Sequence, residues 1–119
     1  MKNEPIIKKD RDKHQLHWFN LCKSVSEDFA KLCGVEIETM VSKNRERTPT
    51  ATRQLTMYAL TKLGISGNYI CWFFNRDRTC IYHSLRAADS ILDNEEGILE
   101  HTNNIINTYD QRRISKESG

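Results

Sequence analysis

Residues 64–92 read GISGNYICWFFNRDRTCIYHSLRAADSIL, and the fold turns on them. Tyr69, Ile70, Trp72, Phe73 and Phe74 form a dense apolar run with Gly67 before it and Asn75 after it. Those two residues punctuate the chain, so the run has room for little more than two helical turns. Its four aromatic side chains are expected in the core. Asp77 stands where an N-cap belongs, ahead of a second helix predicted over Arg78 to Leu92. Ile81, Tyr82, Leu85, Ala88 and Leu92 supply the inward face of that helix, and its first residues are polar. A short apolar helix, a tight turn and a longer helix with a polar beginning make the layout of a helix-turn-helix.

Working outward, Thr48-Pro49 opens an upstream helix over Pro49 to Leu63: a hydroxyl can cap free amides, and proline at the first helical position loses no hydrogen bond. It offers Leu55, Ala59 and Leu63 to a core, widened by Met57, Tyr58 and Leu60, and Gly64 ends it. Before it, Glu36 to Val41 is a short helix presenting Ile37, Met40 and Val41. A helical stripe starts at His14: Trp18, Leu21, Cys22, Val25, Phe29, Leu32 and Cys33 recur at spacings of three and four, and Gly34 follows. Downstream, Asp93-Asn94-Glu95-Glu96 is an acidic start for a last helix, a charge sign that the helix dipole favours there. Ile98, Ile105, Ile106 and Tyr109 give that helix one apolar face. The fold class is all-α, a bundle of five or six helices. Residues 1–13, polar and without periodicity, read as a flexible arm, 14–112 as the helical domain and 113–119 as a disordered tail.

The chain has 119 residues, one domain's worth, and carries a net charge of +2. That charge is unevenly spread. Residues 1–41 balance, and residues 89–119 are acidic. Residues 42–88 hold Lys43, Arg45, Arg47, Arg53, Lys62, Arg76, Arg78 and Arg86 against Glu46 and Asp77. A basic stretch of this kind lowers the free energy of bringing phosphates close, mainly by releasing their counterions. No apolar run approaches the roughly 20 residues needed to cross a bilayer, and residues 1–13 contain no segment like a secretory signal. A cytoplasmic protein that does not engage membranes is expected. The four cysteines contain no CxxC pair, and His14, His17, Cys22 and Cys33 meet none of the common zinc spacings, so reduced, mostly buried thiols are expected and no metal. No nucleophile, base and orienting group stand in a recognisable set, so catalysis is not expected.

The chemistry of the basic segment suits a nucleic acid. In a helix-turn-helix the second helix enters the major groove with its first residues against base edges. Here those are Arg78 and Thr79 and, one turn on, Tyr82 or His83. Arginine can donate two parallel hydrogen bonds to guanine, and threonine can bond a base or touch a thymine methyl. Ser42 to Arg47 is a loop with no apolar residue, suited to phosphates or to an adjoining minor groove.

Two of these stretches resemble a known family. Ser42-Lys43-Asn44-Arg45-Glu46-Arg47, followed by Arg53-Gln54-Leu55-Thr56-Met57-Tyr58, is similar to the basic loop and following helix of the C-terminal DNA-binding domain of the bacterial replication initiator DnaA. Arg76-Asp77-Arg78-Thr79-Cys80-Ile81-Tyr82-His83-Ser84 resembles that family's signature Gly-Arg-Asp-His-Thr-Thr-Val-x-His-Ala. The resemblance covers Val35 to Leu92 and implies a Trp-repressor-like helical fold that binds a short duplex site as a monomer. It implies a minor-groove contact for Arg45 with a phosphate contact for Lys43 beside it, and a phosphate-holding pair in Arg53 and Gln54. It also implies base contacts for Asp77 and Thr79 and a structural role for His83.

The chain departs from the family in several places. Arg78 replaces the signature histidine and Cys80 the second threonine, which shifts the expected preference towards a guanine. Thr52 stands where a proline precedes the arginine, the turn before Arg76 is one residue shorter, and Thr61 replaces a phosphate-touching lysine, with Lys62 next to it. No GxxxxGK[ST] motif occurs, so no nucleotide partner is expected. The candidate DNA-binding set is Lys43, Arg45, Arg47, Arg53, Gln54, Lys62, Arg76, Asp77, Arg78 and Thr79. The sequence thus points to a stand-alone, sequence-specific binder of double-stranded DNA without a cofactor, of the sort a mobile element or phage uses in replication or its regulation. A monomer is expected, with the first helix as a route to dimers. The alternative is a protein-interaction module of the same fold that has lost DNA binding.

Overall fold

A computed structural model describes the backbone of residues 8–43 and 45–118 and the side chains of residues 17–43 and 45–110. Among the described residues there are six helices and no strand. They are α1 (Lys8–Cys33), α2 (Ile37–Val41), α3 (Arg47–Lys62), α4 (Gly67–Phe74), α5 (Thr79–Asn94) and α6 (Ile98–Ser118). The chain is an all-α bundle. Residues 8–13 of the expected arm belong to α1 and residues 113–118 of the expected tail to α6. Residues 1–7 and 119 lie outside the described residues.

The core forms around α3. Leu55, Met57, Ala59, Leu60 and Leu63 from α3 and its end pack with Cys22, Val25 and Phe29 of α1 and Met40 of α2. Ile65 after α3, Ile70, Cys71 and Phe74 of α4 and Ile81, Ala88 and Leu92 of α5 complete the cluster. Because neighbours cover the middle of α3 nearly all round, even polar side chains there are internal. Thr52 and Thr56 are fully buried, and their hydroxyls donate to the Thr48 and Thr52 carbonyls at 2.7 and 2.8 Å, one helical turn back. That local bond removes the cost of an unpaired buried hydroxyl.

Helices α1, α3 and α4 close in the same way. Gly34, Gly64 and Asn75 each take a left-handed conformation, and the next residue donates back five positions: Val35 to Ala30, Ile65 to Leu60, and Arg76 to Cys71. This Schellman closure satisfies terminal carbonyls that the helix leaves unpaired. Asn75, at φ 56°, is the one without glycine's freedom, and it turns the chain between α4 and α5.

Several expectations need correction. Helix α3 starts at Arg47, so Pro49 is its third residue and is buried, and neither Thr48 nor Glu46 caps it through a side chain. Proline is still tolerated there, because the first turn's amides have no intrahelical acceptor. Asp93 and Asn94 finish α5 rather than start α6. Trp72 is 61 % exposed and Tyr82 66 %, so neither belongs to the core. On α5, Ile81, Ser84, Leu85, Ala88 and Leu92 keep to one stripe, and a residue directly after Ile81 is turned about 100° away from it.

Candidate nucleic-acid interface

The basic loop leaves α2 at Ser42. This residue ends α2 with its amide bonded to the Glu38 carbonyl, while its Oγ donates to Thr39 at 2.7 Å. Its own carbonyl points back into the structure and accepts two arginines. Arg53, on α3, donates from Nη1 to the Met40 carbonyl at 2.9 Å and to the Ser42 carbonyl at 3.4 Å. Arg76, between α4 and α5, donates from Nη2 to the same Ser42 oxygen and from Nη1 to the Phe74 carbonyl at 3.0 Å. The loop is thereby fastened at its root to α3 and to the turn of the helix-turn-helix.

Helix α5 begins without a side-chain cap. The expected cap, Asp77, is displaced by Arg78, which already has helical dihedrals. The Asp77 and Arg78 carbonyls instead accept the Cys80 and Ile81 amides at 3.0 and 3.1 Å, a tight three-residue turn that starts the helix. The Asp77 side chain is exposed. It lines a cleft with Lys43, Asn75, Arg76, Thr79, Cys80 and His83. The cleft lies beside the first turn of a 16-residue helix, whose positive end favours a phosphate, and Lys43 and Arg76 add to that potential while Asp77 offsets part of it.

The ten sequence-predicted residues separate into three groups. Lys43, Arg76, Asp77 and Thr79 meet around the cleft. Arg45, Arg47 and Arg78 are exposed, in the loop, at the start of α3 and at the start of α5 respectively. The remaining three are elsewhere. Gln54 is half-buried on α3. Arg53 is only 8 % exposed and holds main-chain carbonyls, so the structure makes it a brace within the fold rather than a free phosphate-holding group. Burial first, and then the neighbouring charge of Arg76, lower its pKa from the ordinary arginine value. Lys62 ends α3, about 22 Å along the axis from Arg47. Its Nζ lies 5.4 Å from the Tyr58 ring centroid, a cation–π contact away from the cleft.

Sequence reasoning gave Tyr82 two conflicting roles, a core position and a base contact, and its exposure removes the first. His83 is exposed and part of the cleft, so nothing in the structure makes it an internal support. Sequence reasoning also missed the bracing role of Arg76, since nothing in local sequence shows that an arginine will reach a carbonyl 34 residues away. No group of three or more His, Cys, Asp or Glu side chains among the described residues is placed to hold a metal ion. No helix of the described residues is long and apolar enough to cross a membrane.

A DNA replication initiation factor has a similar fold. Its crystal structure superposes on this chain with a TM-score of 0.65 at 18 % sequence identity, covering 92 % of this chain. The chain spans 32 % of that protein, about a third of its length. The likeness is one of fold. No protein-family model matches the chain, and no curated protein matches it.

Proposed function

We propose that this protein binds double-stranded DNA, with the start of α5 in the major groove and the 42–47 loop on the adjoining backbone and minor groove. The observation that carries this reading is that Lys43 of the loop and Thr79 of α5 line one cleft, although 36 residues separate them in sequence. A duplex presents a major-groove edge and flanking phosphates side by side, and a helix start beside a basic loop suits both at once. The division of labour follows from the chemistry. Arg78 and Thr79 reach base edges, Lys43 and Arg47 approach phosphates, and Arg45 enters the minor groove. The activity is binding without catalysis, in the cytoplasm, by a monomer and without a nucleotide. The fold shared with a DNA replication initiation factor supports a role in replication or its regulation. The resemblance to the DNA-binding domain of DnaA supports a site related to that family's, moved towards guanine by Arg78.

Selection of bound duplexes from a random pool tests the proposal. One preferred sequence should emerge, and log affinity for it should fall steeply with log salt as counterions are released. Recovery of no enriched sequence, with affinity flat in salt, would contradict it. A second reading is a protein-interaction module of the same fold, and it rests on an exposed aromatic pair. Phe19 of α1 is 41 % exposed and Trp72 of α4 61 %, with their rings 6.5 Å apart. Under that reading, Trp72→Ala abolishes partner capture and the chain selects no duplex.

A further inference from the structure

We propose that Arg76 is a positioning residue, which holds the basic loop against the start of α5 so that both reach one duplex in a fixed relation. Its consequence for DNA rests on the binding reading above, whereas its geometry does not. Arg76 is half-buried in the turn between α4 and α5, and both its terminal nitrogens are engaged by main-chain carbonyls. The bond to Phe74 anchors the guanidinium to the end of α4, and the bond to Ser42 carries that anchor across to the loop. Of the guanidinium's five N–H donors, one on each terminal nitrogen is held by a main-chain carbonyl, which fixes the plane of the group between α4 and the loop.

The Ser42 oxygen has two lone pairs, and Arg53 uses it from the side of α3. Two guanidinium groups this close repel, and the oxygen between them offsets part of that repulsion. Arg53 ties the end of α2 to α3, so its removal would disturb the core. Arg76 alone of this pair bridges the loop and the helix-turn-helix, which makes it the member to test. Lysine retains the charge but has one compact ammonium, which cannot hold two carbonyls in a planar fork.

The experiment uses the full chain with Arg76→Lys and Arg76→Gln. In the free protein, hydrogen exchange of the Ser42 amide, which is bonded to the Glu38 carbonyl, should rise by about tenfold in both variants, as for loss of a charged hydrogen bond. Exchange in α1 and α6 should stay unchanged, which a merely global loss of structure would not allow. Bound to a duplex selected from a random pool, wild type should lose affinity on Arg45→Ala. In the Arg76→Lys background the same change should cost no more than about twofold, because coupled residues are not additive. The proposal is overturned if exchange of the Ser42 amide is unmoved. It is also overturned if Arg45→Ala costs the same in both backgrounds, which would make Arg76 an independent phosphate contact. If wild type binds no duplex, the binding reading fails, and the exchange measurement still decides the brace.

Discussion

The Tyr109 hydroxyl of α6 donates to Asp28 Oδ2 of α1 at 2.6 Å, joining two helices through residues 81 apart in sequence. Ile105 and Ile106, earlier on α6, pack against the core from the same helix. The bond lies at the edge of the bundle, partly covered, where a charged acceptor retains some access to water.

Tyr109→Phe keeps the ring and removes the donor. Stability should fall by about 1 kcal/mol, the net worth of a typical intramolecular hydrogen bond, because partial solvation weakens the advantage of the charged acceptor. The check is a urea midpoint that moves down while the m-value stays put, which reports lost stability without a changed unfolded state. Affinity for DNA should not change, since α6 contributes nothing to the cleft.

Two neighbours on α4 should behave oppositely. Phe74 is fully buried, whereas Trp72 is mostly exposed and meets Phe19 edge-on. Phe74→Ala should cost roughly 3–5 kcal/mol, and Trp72→Ala less than about 1 kcal/mol. Chemical denaturation of the two variants side by side settles the comparison, and a large cost for Trp72→Ala would place that ring in the core.

Much of this architecture was legible in the sequence, and the exceptions share a cause. The stripes of α1 and α3 stood out because apolar residues recur at helical spacing. The end of α4 was marked by Asn75, whose side chain tolerates the left-handed conformation seen there. Trp72 and Tyr82 are apolar enough to suggest core, but each lies directly after a buried residue, Cys71 or Ile81, on a helix with only one covered face. The basic loop and the polar start of α5 were likewise readable as candidates from charge and residue type. That Arg53 turns inward and Arg76 reaches Ser42 was not readable, because both depend on contacts distant in sequence.

Two arginines should fail in different ways in binding. Arg45→Ala should weaken binding to every duplex and make the log–log salt dependence shallower by about one unit, as for the loss of one ionic phosphate or groove contact. Arg78→Ala should cost about 1–3 kcal/mol for the preferred duplex and relax preference at one base pair. Titrations of both variants against the selected duplex and its single-base-pair variants, at several salt concentrations, separate the two. An Arg78→Ala protein with unchanged affinity and preference would remove α5 from the major groove.

Alkali should expose the buried thiol on α1. Burial pushes the Cys22 thiol up from 9.0 to about 12, so the folded state keeps its proton where the unfolded state loses it. With the folded value raised, the associated stability is intact below pH 9 and declines as pH rises from 9 towards about 12. Urea midpoints across that window should fall for wild type and fall less for Cys22→Ala. At pH 8, a thiol reagent should modify the half-buried Cys33 and Cys80 before Cys22.

In the proposed binding mode the loop and the start of α5 form one face for one duplex. A nuclear magnetic resonance titration of the labelled chain with its selected duplex tests this most directly. Amides around Lys43, Arg45, Thr79 and His83 should shift together and saturate at one equivalent, while those of α6 stay still. Shifts confined to Phe19 and Trp72, or shifts at only one of the two segments, would contradict it.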